Sequence, residues 1–189
     1  MNTGINLAEN YSAYNSVLEE KRAIAESVNC VKKQCVFISH KKCDEDEAVI
    51  IGRYITEVLK QNIYLDKYDP GLQNATQEEE DEIITEIIKR AIEVSDKMLC
   101  IISPSTINSW WVPYEIGYGD SKKLSIASVK IVDSISMPSF LQIQKCIHDV
   151  EGLKIFLKEN ITEDIPLMER YGIYSLKPVE ENDLNYVFR

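Results

Sequence analysis

The stretch Ser109-Trp110-Trp111-Val112-Pro113-Tyr114-Glu115 holds the chain's two tryptophans and, four residues beyond the second, a glutamate. On a helix, positions 111 and 115 are neighbours on one face, so the spacing sets an indole beside a carboxylate. Such a pair suits a binding wall with a catalytic acid next to it. The ordinary alternative is a solvated acid beside a core aromatic, and spacing alone favours that alternative. Other chemistries find less support. His40 and His148 are the only histidines and neither has a ligand-spaced partner, so no metal site is expected. The five cysteines are odd in number and form no CxxC, a pattern of buried thiols in a reducing compartment. GxGxxG, P-loop, HExxH and GxSxG motifs do not occur, and the acidic run after Cys43 fails the calcium-loop pattern at Val49.

Positioning Trp111 and Glu115 falls to alternating strands and helices. The apolar runs 35–39, 63–66, 98–103, 124–132 and 144–147 read as short strands of a parallel sheet. Between them, Ile51, Ile55, Val58 and Leu59 mark one helix, and Ile83, Ile84, Ile87, Ile88, Ala91 and Ile92 a second. A third helix begins with Ser109 as N-cap and runs to about Lys122, and residues 149–160 form a closing helix. Residues 67–77 read as a long loop turning at Pro70-Gly71. The alternation predicts an open α/β fold with a parallel sheet; taken as flavodoxin-like, it has three layers around a five-stranded sheet of order 2-1-3-4-5. In that order the strand sequence reverses between the first and third strands. Ligands bind at such a reversal, outside the carboxyl ends of the strands. The loops there are 39–46 and 103–108, and the second leads directly into Trp111 and Glu115.

The succession of motifs resembles the TIR domain family over roughly residues 33–160. CVFISHKKCDED is similar to the family's first strand and following loop, and IYLDKYDPG to its second strand entering the BB loop. EIIKRAIEVSDKMLCIISPSTINSWWVPYEIGYG is similar to the helix, the third strand and the WxxxE-like helix, and QKCIHDVEGLKIFLKEN to the last strand and helix. Many TIR domains cleave NAD, and the resemblance places their catalytic glutamate on Glu115 and the motif aromatic on Trp111. It implies substrate contacts from Ser39, His40, Lys41, Asp66, Gly71 and Leu72, with NAD as substrate and no cofactor. The products it allows are ADP-ribose, a cyclic isomer or an exchanged dinucleotide. The match is nearest to stand-alone bacterial TIR proteins of antiphage defence, including Thoeris systems, whose nucleotide product signals to a separate effector. It also implies TIR–TIR contacts between copies. Competing readings are an adaptor without catalysis, a nucleoside deoxyribosyltransferase-like enzyme, and an effector aimed at host signalling.

Composition bounds these readings. The net charge of -10 argues against nucleic acid, whose phosphates need clustered Lys and Arg. No basic leader and no run of about 20 apolar residues is visible, so a cytoplasmic protein off the membrane is expected. The domain plan is an N-terminal helical extension over 1–32, with an amphipathic helix over 5–28, a TIR domain over 33–160, and a C-terminal extension over 161–189 packed on it.

Overall fold

The computed structural model describes residues 3–9, 35–77, 81–132, 136–142 and 144–158. Strands β1 (Cys35–Ser39), β2 (Asn62–Tyr64), β3 (Lys97–Ile102), β4 (Ser125–Lys130) and β5 (Lys145–Ile147) form one sheet in the order β2-β1-β3-β4-β5. All of its pairings are parallel. The helices are α1 (Glu45–Glu57), α2 (Pro70–Gln77), α3 (Asp81–Val94), α4 (Trp111–Ser121), α5 (Ser139–Gln142) and α6 (Val150–Lys158). Every residue of β1 and β3 is buried, as a strand covered on both faces requires. Successive side chains divide between two cores. Cys35, Phe37, Met98, Cys100 and Ile102 pack with α3 and α4 residues, while Val36, Ile38, Leu99 and Ile101 pack with α1 and α6 residues. Each layer therefore follows from the period of two along the strands.

Because β1 lies between β2 and β3, the chain leaves β1 towards one side of the sheet and returns through β3 on the other. Short 3₁₀ turns at Lys42–Asp44, Asp66–Tyr68 and Thr106–Asn108 follow β1, β2 and β3, all at the carboxyl edge of the sheet. At the opposite edge, the buried Lys97 ammonium donates to the Phe156 and Leu157 carbonyls at 2.6 and 2.7 Å and lies 5.3 Å from the Phe156 ring centroid. It satisfies carbonyls that the last turn of α6 leaves without helical partners.

The expected loop over 67–77 is instead the 3₁₀ turn at Asp66–Tyr68 followed by α2. Asp69 makes this possible: its carboxylate accepts from the Leu72 N–H at 3.1 Å, and its carbonyl accepts from Gln73 N–H at 3.0 Å. Asp69 is thus an N-cap, and Pro70 takes the first helical position, where a missing N–H costs nothing. β2 ends at Tyr64, so Asp66 lies in the turn and not in the strand.

The amphipathic helix expected over 5–28 does not hold at its start. Residues 3–5 have no regular secondary structure, Asn6 bridges in parallel to Ile63, and 7–9 form a turn. The Asn6 side-chain oxygen accepts from both Ala8 and Leu65 N–H groups at 3.1 Å, a local bond that competes with helix, while Leu7 is fully buried. The segment covers the exposed edge of β2. The rest of that expected helix, and the C-terminal extension over 161–189, lie outside the described residues. Ile83 and Val58, placed on the apolar stripes of their helices, are exposed. They sit at the margins of stripes centred on Ile84 and Ile88 in α3, and on Ile51 and Ile55 in α1.

Candidate active site

The carboxyl end of β1 delivers Ser39, 1% exposed, into the switch point. Its register partner on β3 is Cys100, which pairs in turn with Ser128 on β4. These three buried side chains form a row of small polar groups across the sheet, on the face that α4 covers. Small residues there leave room for an acid from above. Gly119 keeps α4 close, since a Cβ at that position would meet Met98 Cε at 2.8 Å.

Helix α4 opens at Trp111 with Trp110 in the cap position, so Ser109, the expected N-cap, stands one residue ahead of it. The Ser109 backbone is extended, and its hydroxyl accepts from the Val112 N–H at 3.3 Å. Pro113 falls within the first turn, and the next residues on the inner face are Glu115 and Ile116. Glu115 is only 7% exposed, and the Ser39 hydroxyl donates to its Oε2 at 2.5 Å. Burial pushes the Glu115 carboxyl up to about 8; the Ser39 hydrogen bond opposes that rise, and the nearby Asp66 adds to it. The Cys100 thiol is pushed strongly upward, by burial first and by the charge of Glu115 second. Cys100 is therefore an inert thiol that lines the acid's surroundings.

His40, directly after Ser39, has its ring buried. Nδ1 lies 3.4 Å from the Ile38 carbonyl and 3.6 Å from Asp66 Oδ1. Over a third of the Asp66 side chain is exposed, yet its Oδ1 atom is buried and accepts no hydrogen bond. Burial raises the Asp66 carboxyl above its ordinary range, partly offset by the charge that His40 can carry. Two acids with raised affinity for protons thus face one corner of the sheet, within electrostatic reach of each other. Lys41 reaches across the switch point, donating to the Ser105 carbonyl at 3.0 Å.

The structure brings Ser39, His40, Asp66 and Glu115 together, with Lys41 bracing the rim. Trp111 opens α4, one turn before Glu115. Its ring packs edge-on to Tyr114, centroids 5.8 Å apart, and it remains 39% exposed. Trp110 projects fully, at 93% exposure. Leu72 packs into the core with α3, and Gly71 occupies the exposed first turn of α2 near Asp69 and Ile87. Both follow from residues 70–77 being helix. Cys100 was missed because the strand MLCIIS carries no cue to which of its residues faces α4. Only the pairing of Ser39 with Cys100 reveals it.

Among the described residues no cluster of three or more His, Cys, Asp or Glu side chains has a metal-holding arrangement, and no helix is long and apolar enough to cross a membrane. Residues 37–134, just over half of the chain, match the family described as Thoeris protein ThsB, TIR-like domain. Among solved structures, the TIR domain of the Toll-related receptor TRR-2 from Hydra magnipapillata aligns at 18% identity and a TM-score of 0.48, covering 66% of this chain and 92% of that one. No protein with a curated description matches.

Proposed function

The chain belongs to the Thoeris ThsB TIR-like domain family, and from that premise we propose that it cleaves NAD at the nicotinamide–ribose bond with Glu115 as the catalytic carboxylate. The observation that carries this reading is the burial of Glu115 at the switch point, hydrogen-bonded to Ser39, with no cation paired to it among the described residues. A structural acid is solvated or salt-bridged; an acid held in this way suits a charge that arrives with the substrate.

The chemistry fits one carboxylate. When the C1′–N bond breaks, its electron pair stays on the nicotinamide nitrogen, which leaves neutral and needs no acid. The ribose becomes an oxocarbenium-like cation, and an ionised Glu115 stabilises it in a site of low polarity, where charges interact strongly. The raised proton affinity of Glu115 is compatible with this. The pyridinium ring of bound NAD favours the ionised carboxyl, so the proton leaves to solvent as substrate enters. Water or a hydroxyl of the substrate then attacks C1′ and gives up its proton. Ser39 orients the carboxylate, and His40, Asp66 and Lys41 supply polar contacts to ribose and phosphate. In antiphage defence the ADP-ribose-derived product would act on a separate effector in the cytoplasm, with copies of this chain associating through TIR–TIR contacts.

The test is incubation of purified protein with NAD, with products separated by chromatography, for wild type and Glu115→Gln. Wild type is expected to release nicotinamide, and the variant to lose about 10³-fold or more of that rate. Turnover surviving the substitution removes Glu115 from the mechanism. Turnover of deoxynucleosides in place of NAD would reassign the enzyme class.

A further inference from the structure

The two connectors that flank the switch point are tied to each other through a buried polar chain. Asp44 ends the turn after β1 and is buried, although Lys42 and Cys43 just before it are exposed. Its Oδ2 accepts from the Ser103 hydroxyl at 2.6 Å, and Ser103 is the residue directly after β3. Cys43 Sγ donates to Asp44 Oδ1 at 3.6 Å. The Ser103 oxygen in turn accepts from the Ser105 N–H at 3.1 Å. Thr106 Oγ1 accepts from the Ser103 N–H at 3.0 Å and donates to the Ile101 carbonyl at 3.3 Å. Each hydroxyl has one proton. The strong Ser103 bond to Asp44 commits the Ser103 proton, while the Thr106 proton has two acceptors 3.3 Å away, the Ile101 carbonyl and the Ser103 oxygen. The Lys41 bond to Ser105 adds a second strut between the same connectors.

Such a link is costly to bury unless it is fully satisfied, and when satisfied it fixes one geometry. The turn after β1 needs no carboxylate for its own closure, since Asp44 N–H already donates to the Lys41 carbonyl at 2.7 Å. Its side chain crosses to β3 instead. Ser39 lies five residues before Asp44, and the connector holding Ser103 leads into α4 and Glu115.

We propose that the Asp44–Ser103 pair is a positioning device for the site: it fixes the separation of the connectors after β1 and β3, and with it the placing of Ser39 against Glu115. Asp44 is a positioning residue, acting through these connectors and not on substrate. The kinetic part of this inference rests on the NAD-cleaving reading; the geometric part does not. A shift of about 1 Å in reacting groups is enough to lower turnover by orders of magnitude.

The experiment compares wild type with Asp44→Ala, Ser103→Ala and Asp44→Asn. It has two readouts: NAD kinetics, and the titration of Glu115 followed by carboxyl carbon NMR, its resonance identified by its loss in Glu115→Gln. Asp44→Ala and Ser103→Ala are expected to lower kcat about tenfold or more with KM changed less than about threefold, because the loss lies in orientation. Asp44→Asn keeps an oxygen that accepts from Ser103 and is expected to restore most of the rate. The Glu115 midpoint is expected to fall by about one pH unit in both alanine variants, as a loosened connector admits water. Folded alanine variants with wild-type kcat, or with an unmoved Glu115 midpoint, overturn the proposal. If wild type fails to cleave NAD, the functional reading falls while the titration still decides the positioning. If Asp44→Ala does not fold, Ser103→Ala carries the same decision.

Discussion

At the amino edge of the sheet, β3 begins with a buried Lys97; at the carboxyl edge, the same strand brings Cys100 beneath a buried Glu115. Both are ionisable groups taken out of water, but they are held in opposite ways. Lys97 has two carbonyl acceptors within 2.7 Å and an aromatic face. Glu115 has one hydroxyl, a neighbouring acid and, among the described residues, no paired cation. A charge surrounded by matching dipoles stabilises the fold around it. An acid denied such partners costs the fold stability whenever it is ionised. The contrast separates architecture from candidate chemistry without appeal to any homologue.

Removing the satisfied group should be the most damaging change to stability. Lys97→Ala leaves the Phe156 carbonyl without its ammonium donor and opens a void along the lysine stem, although Gln61 still donates to Leu157. A loss of about 3 kcal/mol in urea denaturation is expected. A change under about 0.5 kcal/mol would mean that Lys97 is not the bolt holding α6 to the sheet.

Neutralising Glu115 should do the reverse. Its folded pKa of about 8 lies above the ordinary value of 4.5, so the native state binds the proton more tightly than the unfolded chain. The stability from that binding is fully present below about pH 4.5 and is lost as pH rises through about 8. Glu115→Gln cannot titrate. Its stability relative to wild type should therefore grow across that window and level off above it, by up to roughly 4 kcal/mol at pH 8. Thermal unfolding of both proteins from pH 4 to 9 measures the slope. A flat difference would show that the carboxyl is not strained by burial.

Ser39→Ala sharpens the same contrast by removing the hydroxyl that opposes the rise. The Glu115 midpoint should move further up, and stability should fall by about 1 kcal/mol. For the proposed reaction, kcat/KM of wild type should climb with pH through about 8, since the free enzyme must ionise Glu115. The kcat profile should level off at lower pH, because bound pyridinium already favours the anion. In Ser39→Ala the kcat/KM limb should shift to higher pH. A limb that stays in place would detach Ser39 from the acid.

The sequence carried much of this arrangement, and its failures have physical causes. The strand runs were legible because β1 and β3 are buried on both faces; alternation with helices implied a parallel sheet, while its order came from assuming a flavodoxin-like arrangement and not from any residue pattern. Glu115 was legible through helix spacing and family resemblance together, and Ser39 through its place at the end of β1. The helix at 70–77 was hidden because Asp69-Pro70-Gly71 satisfies turn chemistry and N-capping equally well; only the carboxylate bond to Leu72 N–H decides between them. For Trp111, i,i+4 spacing says which residues share a face but not which neighbour a ring chooses, and its ring meets Tyr114 edge-on. Asp44 and Ser103 are 59 residues apart, and no local pattern announces a bond across the switch point.

The smallest expected effect tests how closely α4 is fitted to the site. A Cβ built at Gly117 meets nothing within 4 Å, whereas one at Gly119 meets Met98 Cε at 2.8 Å and Sδ at 3.4 Å. Gly117→Ala restricts the unfolded chain and adds a better helix former at an exposed position, so a gain of about 0.5–1 kcal/mol is expected. Because that position faces solvent two residues past Glu115, the gain should come with an unchanged Glu115 midpoint. Gly119→Ala pushes against a buried Met98 on β3, in the strand that carries Cys100. It should lose the helix-propensity gain to repacking and move the midpoint of Glu115 as α4 lifts from the sheet. Equal responses from the two alanines, in stability and in titration, would mean that the helix seats Glu115 loosely and that its burial does not depend on close contact with β3.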